Sequence, residues 1–60
     1  MMYRAMAHMI DPTDTSRRWM VRIYDYKTRE EAMKAGEEFA KKYDGFKYAQ
    51  VEEVKIFRVG

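Results

Sequence analysis

The sequence predicts an α+β domain, β-β-α-β in order, in which a three-stranded antiparallel sheet carries one helix on one face. Three observations predict it. Residues Thr28 to Tyr43 place their apolar side chains on one stripe of a helical wheel; the two segments before them alternate apolar and polar residues; and the segment after Gly45 is rich in Val, Ile, Phe and Tyr. A strand-helix-strand connection is right-handed, which places the third strand beside the first and gives the spatial order 2-1-3.

The first strand is expected over residues 3–10, with Tyr3, Ala5, Ala7 and Met9 inward and Arg4, Met6 and His8 outward. Met and Ala also favour helix, so a helical opening segment is the competing reading. The run Asp11-Pro12-Thr13-Asp14-Thr15-Ser16-Arg17 is dense in turn formers and reads as a long hairpin loop. The second strand follows over residues 19–26. Trp19, Val21 and Ile23 are expected under the helix, and Met20, Arg22, Tyr24 and Tyr26 on the opposite face.

The helix, residues 28–43, is marked at both ends. Thr28 with Glu31 forms a capping box, and Asp44-Gly45 supplies a left-handed exit. Ala32, Gly36, Phe39, Ala40 and Tyr43 make the buried stripe, where Gly36 lets the helix approach the sheet. On the far side, Glu30 with Lys34, Glu37 with Lys41 and Glu38 with Lys42 are spaced for ion pairs worth roughly 0.2 to 0.5 kcal/mol each. The third strand is expected over residues 47–59. Val54 and Ile56 fit one face while Val51, Phe57 and Val59 fit the other. A bulge at Glu52-Glu53 reconciles the two patterns, with Val54 and Ile56 inward.

With 60 residues in one expected domain, the chain buries only about 60% of its unfolded surface, so its core is thin. It has no cysteine, which removes disulfides and thiolate chemistry and points to a cytoplasmic protein. No apolar run reaches the roughly 18 to 20 residues of a membrane span, and Arg4 and His8 interrupt any signal-peptide pattern. The helix carries as many acidic as basic residues, so the net charge of +2 lies entirely outside it. That excess is far below the basic footprint of a dedicated nucleic-acid binder.

Catalytic signals are sparse. His8 and Ser16 are the only histidine and serine, Asp11 and Asp14 sit in turn chemistry, and Glu30-Glu31 are explained by the helix start. The expectation is a chain that is not an enzyme and takes no cofactor and no metal.

One helix covers one face of a sheet, so the other face is left for a partner. Met20, Arg22, Tyr24, Lys55 and Phe57 are the expected contacts, with Arg4, His8, Arg17 and Arg18 secondary to them. Met, Tyr and Arg are enriched at protein interfaces, which favours a protein partner. Two alternatives stand beside it. Tyr24 and Phe57 stacking on bases, with Arg17, Arg18, Arg22 and Lys55 on phosphates, would make the face a nucleic-acid platform. A second copy pairing sheets would make it a structural homodimer. The bland alternative is an open sheet whose side chains cover one another, since apolar atoms make up about half of any protein surface.

Val21-Arg22-Ile23-Tyr24, then Thr28, Glu31-Ala32, Phe39-Ala40 and Tyr43, then Gly45-Phe46 together resemble the small RNA-polymerase inhibitors of T7-like phages across residues 19–59. The resemblance implies the same two strands, helix and third strand, and a phage accessory protein that blocks a host enzyme by contact. That family bears arginines at alternate positions shortly after its Gly-Phe, and they touch the polymerase; Gln50 and Glu52 stand there here. Tyr26-Lys27-Thr28-Arg29-Glu30-Glu31-Ala32 is also similar to the strand-to-helix junction of DNA-binding domains built from a three-stranded sheet and a helix. In those domains all three strands precede the helix.

Overall fold

Alternation decides the first segment. Ala5, Ala7, Met9 and Asp11 are buried and the residues between them are half-buried, a period of two that a helix of 3.6 residues per turn does not produce. The computed structural model describes residues 1–60 as an α+β fold: strand β1 (Met2–Asp11), strand β2 (Asp14–Tyr26), helix α1 (Arg29–Lys42) and strand β3 (Gln50–Val59). The sheet is antiparallel and ordered β2-β1-β3, the arrangement that the right-handed crossover requires. No helix is long and apolar enough to cross a membrane.

The hairpin differs from the long loop expected over 11–17. Pro12 and Thr13 alone make the turn, and β2 starts at Asp14. The polar residues satisfy one another locally. Asp11 Oδ1 accepts from the Thr13 amide at 2.8 Å and its hydroxyl at 2.6 Å, while Asp14 Oδ1 accepts from the Ser16 amide and hydroxyl. Pairing then jumps from Asp11↔Asp14 to Ile10↔Arg18, so Thr15, Ser16 and Arg17 bulge out of the ladder. At the other end, β3 begins at Gln50, three residues later than the composition of 47–49 suggested.

Asp11 is nearly inaccessible, and its second oxygen accepts from Arg17 Nη1 at 3.0 Å. The Thr13 hydroxyl, and after it the Thr13 amide and Arg17, hold its carboxyl below the ordinary value of 3.8, although burial pulls the other way. A carboxylate whose folded pKa is depressed contributes stability that is whole above its unfolded pKa and is lost as pH falls through the folded value. Asp11→Asn should therefore lower stability at pH 7 and flatten the decline below pH 3.8. Denaturant melts from pH 7 to pH 2 check this, and an unchanged acid limb would contradict it.

α1 begins where Thr28, in extended conformation, accepts the Glu31 amide at 3.2 Å. Glu31 in turn accepts the Thr28 hydroxyl at 3.0 Å, in place of the Thr28 amide that a capping box uses. Helix bonding stops at Lys42, Tyr43 caps the end, and Gly45 makes the exit with φ +82, a conformation glycine adopts without strain. Rings of Phe39, Tyr43 and Phe46 follow one another at 5.2 and 5.1 Å and fasten that exit. None of the three expected Glu-Lys pairs on the solvent side closes within 4 Å, because exposed long side chains gain little by ordering.

The helix packs on the Ala5, Ala7, Met9 side of the sheet. Ala5, Ala7 and Ala32 have no exposed surface, and these short side chains let the helix backbone come close. Gly36 lies directly on Val54, which pairs with Ala7. Met9 is the only large side chain that is fully buried, so the core is one layer deep. A 14-residue helix is about 21 Å long. The molecule is 38 Å in its longest dimension, and the hairpin end, with Trp19 still 36% exposed, projects beyond the helix.

Candidate functional site

Cross-strand pairing assigns each paired strand residue to a face. Opposite the helix, the rows run Arg22–Met6–Lys55, Met20–His8–Glu53 and Asp25–Arg4–Phe57 across β2, β1 and β3. Met2 opposite Val59, and Ile10 between Arg18 and Gln50, extend the face at its two ends. Only one helix is present and it lies on the other side, so this face is open.

Two single-residue bulges decide the details. In β3, His8 pairs with Glu53 and Met9 with Val51, which leaves Glu52 as the extra residue. The bulge expected at Glu52-Glu53 is thus present. It keeps Val54 and Ile56 on the helix side and brings Val51 there as well, opposite Met9 and away from Phe57 and Val59. In β2, Met6 pairs with Arg22 and Ala5 with Tyr24, so Ile23 is the extra residue and the phase of the strand reverses.

That reversal corrects the placement of two tyrosines. Tyr24 pairs with buried Ala5 and Tyr26 with Tyr3, so both lie on the helix side, with their rings 5.5 Å apart. Tyr24 is 66% exposed because it stands at the outer edge of the sheet, beyond the reach of the helix. It does not share a face with Met20, Arg22, Lys55 and Phe57, which the register does bring together. Arg17 is likewise not on the open face. Its guanidinium stacks 5.5 Å above the Trp19 ring and binds Asp11, on the helix side of the hairpin.

The charges of the open face are largely neutralised within it. Arg4 donates from Nε to Asp25 Oδ1 at 2.8 Å and from Nη2 to Oδ2 at 3.0 Å, a bidentate pair about 30% exposed. This hydrogen bonding raises the Arg4 pKa and lowers that of Asp25, against the opposing effect of desolvation. Arg18 reaches across β1 to Glu52 at 3.3 Å, and Lys55 lies 3.9 Å from Glu53 on its own strand. Arg22 alone among these cations has no ion-pair partner within 4 Å. Between the charges stand Met2, Met6, Ile10, Met20, Phe57 and Val59, with Met20 49% and Phe57 44% exposed.

No hydrolytic arrangement forms. The Ser16 hydroxyl donates to Asp14 in the bulged hairpin, beyond the Ile10–Arg18 pair, whereas His8 lies mid-strand between Met20 and Glu53. No group of three or more His, Asp or Glu side chains is close enough to hold a metal ion.

The open face was legible from alternation in β1, whose even-numbered residues all lie on it. Val59 falls on it with Phe57, as the pattern of the third strand indicated, whereas Met2 and Ile10 were missed because they fall at the ends of β1, and continuing the same alternation to those ends would have found them. No model of a known protein family, no curated protein and no solved structure matches this chain.

Proposed function

We propose that the chain is a non-enzymatic protein-binding module that docks a partner on the open face of its sheet. One observation carries this reading: Met2, Met6, Ile10, Met20, Phe57 and Val59 form an apolar face with no roof, in a chain whose core is otherwise one layer deep. Met20 and Phe57 serve as anchors that enter apolar recesses of the partner, and Arg22 and Lys55 orient the approach. Arg4 and Arg18 hold Asp25 and Glu52 and act as a fixed polar frame, with His8 at the centre. The resemblance to phage polymerase inhibitors supports the further reading that occupying a host enzyme's surface in the cytoplasm blocks it.

The ion pairs favour protein over nucleic acid. A nucleic-acid platform needs cations free to meet phosphates, and here three of the four on the open face already face carboxylates. Capture from host lysate, with and without nuclease, followed by a salt titration of the complex, tests the proposal. The expected complex survives nuclease and weakens only gently with salt. A complex lost to nuclease, or one whose log affinity falls with a slope of about −0.9 per phosphate contact, would establish the nucleic-acid reading instead. Adding the purified chain to the assay of a captured enzyme then tests inhibition.

A further inference from the structure

A second vacant surface lies on the helix side, independent of the open face. A groove of about 370 Å³ runs between α1 and β3, floored by Val54 and Ile56 and walled by Arg29, Met33, Glu37 and Ala40. β3 is an outer strand, paired with β1 on one side and with nothing on the other, so its outer N–H and C=O groups are free. Met33 is 48% exposed on the wall. Neither Arg29 nor Glu37 has an ion-pair partner within the chain.

The charges of this wall are self-complementary. Arg29 stands four residues before Met33 and Glu37 four residues after it, one turn away on either side along the same stripe. A two-fold axis passing beside Met33 sets Arg29 of one copy against Glu37 of the other, twice. The opposite edge of the sheet offers nothing comparable, since β2 carries Arg17, Arg18 and Arg22 and is broken by two irregularities.

We propose that the occupant of this groove is a second copy of the chain, with the two β3 edges paired antiparallel in one six-stranded sheet. α1 touches all three strands and lies over β1 and β3, with Gly36 directly on Val54. In the dimer the two helices therefore stand two to three strand spacings apart, roughly 10 to 14 Å. That is at or beyond the 8 to 10 Å or so of helices in direct contact, and long side chains are what such a gap takes. The two Met33 side chains fill it over Val54 and Ile56, and the Arg29–Glu37 pairs close it at both ends. The same operation joins two open faces into one continuous platform.

Sedimentation equilibrium of the full chain into the millimolar range should show a species of twice 7.3 kDa. Arg29→Glu and Glu37→Arg should each weaken the dimer by at least about tenfold, because each sets like charges face to face. An equimolar mixture of the two variants should recover the dimer, since in the mixed pair both contacts between positions 29 and 37 again join opposite charges. Both positions lie on the solvent-facing part of the helix, and circular dichroism verifies that each variant folds. A wild-type chain that stays monomeric throughout overturns the proposal. So does a dimer indifferent to both reversals, a mixture that fails to recover, or a dimer dissolved instead by Met20→Glu.

Discussion

Gly36→Ala should lower the melting temperature by roughly 5 to 15 °C, although alanine is the better helix former. A methyl group at Gly36 would overlap Val54 Cγ1 and stand 3.3 Å from its Cβ and Cγ2. Val54 is branched at Cβ and has few rotamers with which to retreat, and its strand is fixed by pairing with Ala7. The helix must then lift from the sheet. Lifting it opens the thin layer in which Ala5, Ala7 and Ala32 have no exposed surface. Overpacking costs about 1 to 3 kcal/mol, and overlap with a side chain that cannot retreat falls in the upper part of that range, about 2 to 3 kcal/mol. Against a gain of about 1 kcal/mol in helix propensity, this leaves a net loss of about 1 to 2 kcal/mol. In a domain this small, each kcal/mol lost moves the midpoint by roughly 4 to 8 °C. Val54→Ala removes the obstructing methyls, so the double variant Gly36→Ala with Val54→Ala should be more stable than the sum of the single effects by at least about 1 kcal/mol. Thermal melts of the four proteins measure that coupling, and a neutral or stabilising Gly36→Ala would mean that the helix does not rest on Val54.

Gly36 also shows what a sequence makes legible. A glycine in the apolar stripe of an otherwise strong helix conflicts with local propensity, and such a conflict points to a close approach elsewhere in the fold. The helix ends were legible for a similar reason: Thr28, Glu31 and Gly45 act within a few residues, and so does the chemistry that selects them. Pairing is a different matter. Nothing local tells Ile23 that it has no partner across the ladder, because the bulge is set by how β1 meets β2 and how both meet the helix. Strict alternation through Ile23 puts Tyr24 on the wrong face, and one unpaired residue moves everything after it. In β3 the adjacent Glu52-Glu53 did announce a bulge, since two carboxylates in succession cannot alternate between core and solvent. The turn-rich run from Asp11 to Arg17 misled in the opposite direction. Its side chains build Asx-type bonds within a hairpin, and composition alone does not separate those from a loop.

The corrected faces change which substitutions should abolish partner binding. Met20→Glu with Phe57→Glu should weaken partner capture more than about 100-fold while far-ultraviolet circular dichroism stays unchanged. Met20 and Phe57 flank β1 from the two outer strands of the open face, and both point away from the helix, so neither supports the core. Burying a new carboxylate against an apolar partner surface leaves it unpaired, and loss of an interface anchor typically costs about 2 kcal/mol or more at each position. Two such losses exceed the roughly 1.4 kcal/mol of a tenfold change several times over. Tyr24→Ala is the discriminating control. On the sequence pattern alone it would match Phe57, but it stands on the helix side of the sheet edge beside Tyr26, and its removal should leave capture within about twofold. Isothermal titration with the captured partner reads both outcomes. Binding that survives the double charge substitution but falls with Tyr24→Ala would move the contact surface from the open face to the β2 edge.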